Sequence, residues 1–281
     1  MLAAGRVDTN LMDREVKACS VDLISDKGGS SWGRGMKQPR IVPSIITALR
    51  VMSTTLRACA ACLFHSRRLK DPTFTMRYAR EGWGPRLFKI SKADLNVSGG
   101  ESVDYAKPHI YVMNHESYMD IPAAFMALPC NIGFIAKKEL ESVPFFGRTM
   151  REAGMIFVDR RNPEKALASL KKGGALIRSG VNIFAFPEGT RTKDGVIKPF
   201  KKGVFMLALE AGVPIVPMAI AGAREVLPYG SFDPTAGTIK VRIGHPIETS
   251  SYSVETREAL VETVRNQVLA LRKELDDGVE S

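Results

Sequence analysis

His115 and Asp120 stand five positions apart in Asn114-His-Glu-Ser-Tyr-Met-Asp120, directly after the apolar run His109-Ile-Tyr-Val-Met. A carboxylate beside an imidazole is general-base chemistry. It holds one ring nitrogen protonated and leaves the other free to take a proton from an attacking hydroxyl. On a continuous helix an offset of five residues turns two side chains about 140° apart, so the pair can meet only if the histidine lies in a bend before the first turn. A strand running into a helix supplies such a bend. Taken alone, the spacing also fits a strand-end histidine beside an aspartate that caps a helix. Ser117 lies inside the motif, but the Gly-x-Ser-x-Gly elbow of a serine nucleophile is absent, and it reads as a helix-start residue.

A second constellation is cationic. Phe186-Pro-Glu-Gly-Thr-Arg191 ends a hydrophobic run with a tight turn, and Lys193, Lys198, Lys201 and Lys202 follow closely. Gly189 permits close backbone approach, Thr190 offers a hydroxyl, and Arg191 a planar fork matched to a phosphate monoester. Glu188 is expected to hold Arg191 or a substrate hydroxyl. Lys137, after the run Gly133 to Ala136, is a candidate for stabilising a carbonyl oxygen or a phosphate.

These groups need a scaffold of alternating elements. From about Asp94 the pattern reads as strands at Leu95 to Val97, Ile110 to Met113, Gly133 to Ala136, Ile156 to Val158, Val181 to Phe186, Ile215 to Ile220 and Ile239 to Ile243. Helices are expected at about Asp120 to Met126, Val143 to Glu152, Pro163 to Ser179, Gly203 to Ala211 and Val254 to Leu275. The fold class is α/β: a mixed, largely parallel sheet flanked by helices, with an N-terminal amphipathic helical hairpin. In that hairpin Ile41 to Phe64 is apolar apart from Arg50 and Arg57, seven apart and so on one helical face. Its charge-free runs fall short of the ~20 residues that cross a bilayer, which favours lying in the interface. A second short helix, Pro72 to Trp83, is expected to break at Gly82, Gly84 and Pro85, with Trp83 suited to headgroup depth.

Composition bounds the alternatives. The 281 residues carry a formal net charge of +10, which calls for an anionic partner. Ten basic residues against two acidic ones fall between Arg50 and Lys92, pointing to an anionic membrane surface. No Walker loop, zinc motif or aromatic-basic signature supports a nucleic-acid partner. The four cysteines, Cys19, Cys59, Cys62 and Cys130, lack the company of a zinc site, and no metal is expected. The domain reading is a loosely ordered leader over 1–40, a membrane-associating hairpin over 41–92 and an α/β domain over 93–281. The leader lacks a signal-peptide core, so export is not indicated and a reducing cytoplasmic setting fits.

Four stretches then occur together: Asn114-His115-x4-Asp120, Gly154-Met-Ile-Phe-Val-Asp-Arg160, Phe186-Pro-Glu-Gly-Thr-Arg191 and Val213-Pro-Ile-Val-Pro217. In order and spacing they resemble the four blocks of the glycerolipid acyltransferases, over about Leu69 to Ile247. The resemblance implies an α/β acyltransferase domain in which His115 is the base and Asp120 orients it. It further implies that Asn114, Arg160, Glu188, Gly189, Thr190 and Arg191 bind substrate, with Lys137 beside them and Pro217 shaping an acyl groove. The implied reaction moves a fatty acyl group from acyl-CoA or acyl-carrier-protein to the sn-2 hydroxyl of 1-acylglycerol 3-phosphate, giving phosphatidic acid without an acyl-enzyme. Glycerol 3-phosphate or another lysophospholipid is an alternative acceptor, and an anionic-lipid-binding module the alternative to an enzyme. Implied partners are the lysophospholipid, the acyl thioester, acyl carrier protein and the membrane. No cofactor beyond the acyl donor is implied, and the implied location is peripheral or monotopic on the cytoplasmic face of a membrane.

Overall fold

The computed structural model describes residues 41–158 and 173–278, apart from Lys70 and Pro72. Its centre is a seven-stranded sheet of β1 (Ala93–Gly99), β2 (Ile110–Met113), β3 (Ile132–Lys137), β4 (Ile156–Val158), β5 (Asn182–Ala185), β6 (Ile215–Ala221) and β7 (Gly237–Ile243), in the order β1-β7-β6-β2-β5-β3-β4. Every neighbouring pair is parallel except β6 with β7. Parallel strands are covered on both faces, which is why Ile-Tyr-Val-Met of β2 and Ile-Val-Pro-Met-Ala-Ile-Ala of β6 are apolar throughout and buried at every position.

Alternate residues of β2 divide between two cores. Tyr111 and Met113 pack with Ala123, Phe125 and Phe134, whereas Ile110 and Val112 pack with Phe205, Leu260 and Val264. The first core holds α4 (Asp120–Ala127), and the second holds α6 (Gly203–Ala211) and α8 (Arg257–Asp277). The loops after β2 and β5, neighbours in the sheet, therefore emerge side by side at its carboxyl edge, where open parallel sheets bind their ligands.

The helical hairpin departs from expectation in three ways. First, α1 (Ile41–Leu69) runs past Phe64. Second, Gly82, Gly84 and Pro85 do not break the following helix. A π-turn at Ala79–Trp83 joins α2 (Phe74–Tyr78) to α3 (Gly84–Ser91), and Pro85 falls in the first turn of α3, where its missing N–H costs little. Third, Trp83 faces inward: its indole donates to Thr55 Oγ1 at 3.2 Å and its ring meets Phe125 edge-on.

One face of α1 seats Ala58, Cys59 and Cys62, and Ser66 donates to Glu152 of α5 (Phe146–Glu152) at 2.8 Å. Another face is uncovered. Ile45, Ile46, Leu49, Met52, Leu56 and Phe64 are exposed, with Arg50 and Arg57 alongside them. By length and composition Ile45–Arg68 is apolar enough to cross a membrane, which the count of charge-free residues had argued against. The helix expected from Val143 starts instead at Phe146, because Lys138–Ser142 forms a 3-10 turn and Phe145 takes φ +61°. Of the helix expected over 163–179, residues 173–178 are helical, and its first part lies outside the described residues.

Candidate active site

The bend that the His115 to Asp120 spacing demands is present. β2 stops at Met113 and α4 opens at Asp120, so the intervening loop brings the two side chains together. His115 Nδ1 lies 2.7 Å from Asp120 Oδ2. The same oxygen accepts the backbone N–H of Glu116 at 2.7 Å and of Ser117 at 2.9 Å, and the carboxylate sits in the first helical turn, where the dipole favours negative charge. A carboxylate that only accepts fixes the tautomer: Nδ1 carries the hydrogen and Nε2 presents a lone pair. Phe186 stacks on the imidazole at 3.9 Å with 13° between the rings, so the ring is held by one edge and one face. Ser117 is not free to act as a nucleophile, since its hydroxyl donates to the Leu227 carbonyl at 2.8 Å and accepts from Met119 N.

Two of the expected substrate ligands are bonded to backbone. Asn114 is buried and makes a two-way bond with Ile220 at the end of β6: its Nδ2 donates to the carbonyl at 3.0 Å and its Oδ1 accepts the N–H at 2.9 Å. Glu188 does not hold Arg191. Its Oε1 accepts the His115 N–H at 2.7 Å and its Oε2 the Lys198 N–H at 2.9 Å, which ties the dyad loop to the cationic loop. Burial pushes the Glu188 carboxyl up, against those two bonds, which pull it down. A further tie runs from Thr192 N to the His115 carbonyl at 2.8 Å.

The cationic turn is built as its residue types require. Gly189 has φ +74°, and a Cβ there would lie 2.9 Å from the end of the Lys201 side chain. Arg191 rests its guanidinium over the Tyr118 ring at 3.6 Å and the Tyr229 ring at 4.7 Å, with Lys193 over Tyr229 at 5.1 Å. Tyr118 belongs to the dyad's own loop, so this contact sets the arginine next to it. Lys193, Arg224, Glu225, Pro228 and Tyr229 border an open depression of about 430 Å³.

Thr190 is exposed, and Lys137 is exposed at the carboxyl end of β3. Pro217 is a buried β6 residue opposite Val112, packed on Gly244. Arg160 lies outside the described residues. Phe186, Tyr118 and Tyr229 were not legible as site residues. An aromatic side chain at a strand end or in a loop is by default packing, and nothing local tells which ring or cation it will meet.

The acyltransferase family model matches residues 94–221, a span that holds both the dyad and the cationic turn. The chloroplastic 1-acyl-sn-glycerol-3-phosphate acyltransferase BAT2 of Brassica napus is 37% identical over 54% of this chain and 44% of its own length. The chain thus spans about half the length of that relative. The human 1-acyl-sn-glycerol-3-phosphate acyltransferase alpha is 32% identical over 66% of each chain. The crystal structure of the 1-acyl-sn-glycerophosphate acyltransferase PlsC of Thermotoga maritima superposes with a TM-score of 0.73 at 27% identity, covering 86% of this chain and 100% of that one. Sequence blocks, fold and relatives agree, and the chain belongs to the acyltransferase family.

Proposed function

We propose that the chain transfers a fatty acyl group from acyl-CoA or acyl-carrier-protein to the sn-2 hydroxyl of 1-acylglycerol 3-phosphate, giving phosphatidic acid. The observation that carries this reading is the 2.7 Å contact of His115 Nδ1 with Asp120 beside a tyrosine-stacked arginine. His115 Nε2 takes the proton of the lipid hydroxyl as its oxygen attacks the thioester carbonyl. The tetrahedral intermediate collapses, the C–S bond breaks, and the thiolate leaves, taking up the proton from the imidazolium. The acyl group passes directly to the alcohol, so no acyl-enzyme forms. Arg191, held on its two tyrosine rings, binds the acceptor phosphate through its N–H edge. The names of the relatives support lysophosphatidic acid as the acceptor. The exposed apolar residues of α1, with Arg50 and Arg57, seat the enzyme at the cytoplasmic face of an anionic membrane, where both lipids reside.

Purified protein given lysophosphatidic acid, glycerol 3-phosphate and other lysophospholipids, each with acyl-CoA or acyl-carrier-protein, tests this by product mass. The expected product is phosphatidic acid from lysophosphatidic acid. Incubation with donor alone should leave the intact protein mass unchanged, and a stoichiometric acyl adduct on the protein would rule out direct transfer.

A further inference from the structure

Glu116 follows His115, is fully buried, and has no part in the reaction as proposed. Its Oε2 accepts from Arg272 Nη1 at 2.7 Å, and its Oε1 accepts the N–H groups of Ala223 at 3.1 Å and Arg224 at 3.2 Å. Those two open α7 (Ala223–Val226). Arg272 lies on α8, outside the residues that the family model matches. It also donates to the Ile220 carbonyl at 3.0 Å, the same carbonyl that holds Asn114, and its Nε pairs with Asp276. The guanidinium is thus fastened to the backbone on one side and to the dyad's loop on the other.

Such a pair adds little net stability over well-packed apolar residues, but removing one partner leaves a buried charge uncompensated. Here that charge would stand beside the dyad. Burial pushes the Glu116 carboxyl up; Arg272 pulls it down, and the neighbouring Asp120 charge pushes it up again. The groups facing Glu116 are Arg272, with Asp276 behind it, from α8, Asp120 from α4, and the backbone N–H pair of α7; on its own loop stands His115, whose N–H is held by Glu188.

We infer that Arg272 is a positioning residue for catalysis: from the C-terminal helix it anchors the loop that carries His115 and cancels the Glu116 charge beside the His115–Asp120 pair. The inference rests on His115 acting as the general base. Without the guanidinium, two carboxylates share one buried corner, and the cluster binds a proton more readily. An ionised Glu116 left without its cation favours the imidazolium, so in the variant the neutral base forms only at higher pH.

The test is the pH profile of kcat for the full-length chain and its variants. Arg272→Met should move the acid limb up by about one pH unit, with the KM for the acceptor unchanged. Arg272→Gln removes the charge but keeps a donor for Glu116; it should give the same displacement and carries the test if the methionine variant does not fold. In the double variant Glu116→Gln, Arg272→Met the limb should return to the wild-type position, because glutamine keeps an oxygen for the α7 N–H groups and brings no charge. A wild-type limb in the folded single variants, or a limb still displaced in the double variant, would overturn the inference. Failure of the general-base reading shows separately, as activity in His115→Ala.

Discussion

Asp120 Oδ2 gathers three hydrogens at 2.7 to 2.9 Å, from His115 Nδ1 and from the N–H groups of Glu116 and Ser117. The carboxylate therefore shapes the loop as well as orienting the ring. Asp120→Asn should lower kcat by about 10⁴, the cost of a wrong tautomer in a Ser-His-Asp triad, with both KM values little changed in steady-state assays. Arg191 gives the opposite signature. Replacing Tyr118 or Tyr229 by leucine removes a ring from under the guanidinium and should raise the KM for the acceptor about three- to fivefold, the equivalent of about 1 kcal/mol. The kcat should hold, and phenylalanine at either position should restore the KM. At this scale the sequence revealed the ionisable groups, because His-x4-Asp and a glycine-arginine turn have a chemistry of their own. It did not show that Asn114 and Glu188 bond to backbone, because an amide or carboxylate bonded to backbone has the same letter as one bonded to substrate.

Elements were legible where burial imposes a pattern. All seven strands stand where they were expected: β2 and β6, covered on both faces, have no room for polar positions, whereas β7 alternates buried Ile239, Val241 and Ile243 with polar residues. Breaks were read less well. Gly82-Trp-Gly-Pro looks like the end of a helix, yet a π-turn carries the chain through, with Pro85 in the first turn of α3 and Trp83 bonded to Thr55 of α1. A left-handed glycine is a firmer signal. Gly189→Ala should cost about 1 kcal/mol for its positive φ alone, seen as a lower melting temperature, and should displace Lys201 and weaken acceptor binding.

At the scale of the whole molecule, the chain carries a formal net charge of +10 and α1 exposes an apolar face. On the proposed anionic membrane both would act, and they separate by their response to salt. Binding to phosphatidylglycerol vesicles should weaken as ionic strength rises, through screening of exposed charge, while the apolar contribution persists. Leu49→Asp with Leu56→Asp should release the protein from vesicles at any salt and leave its melting temperature unchanged, both residues being exposed. Retention on the vesicles would assign membrane binding to another surface. Nothing in the sequence could show which face of α1 remains uncovered, because that depends on where α3 and α5 pack. The most direct measurement is phosphatidic acid formation by His115→Ala from lysophosphatidic acid and an acyl thioester, followed by mass on protein of wild-type melting temperature. The expected result is no product above the uncatalysed background, with vesicle binding intact; formation at the wild-type rate would contradict the role given to the imidazole.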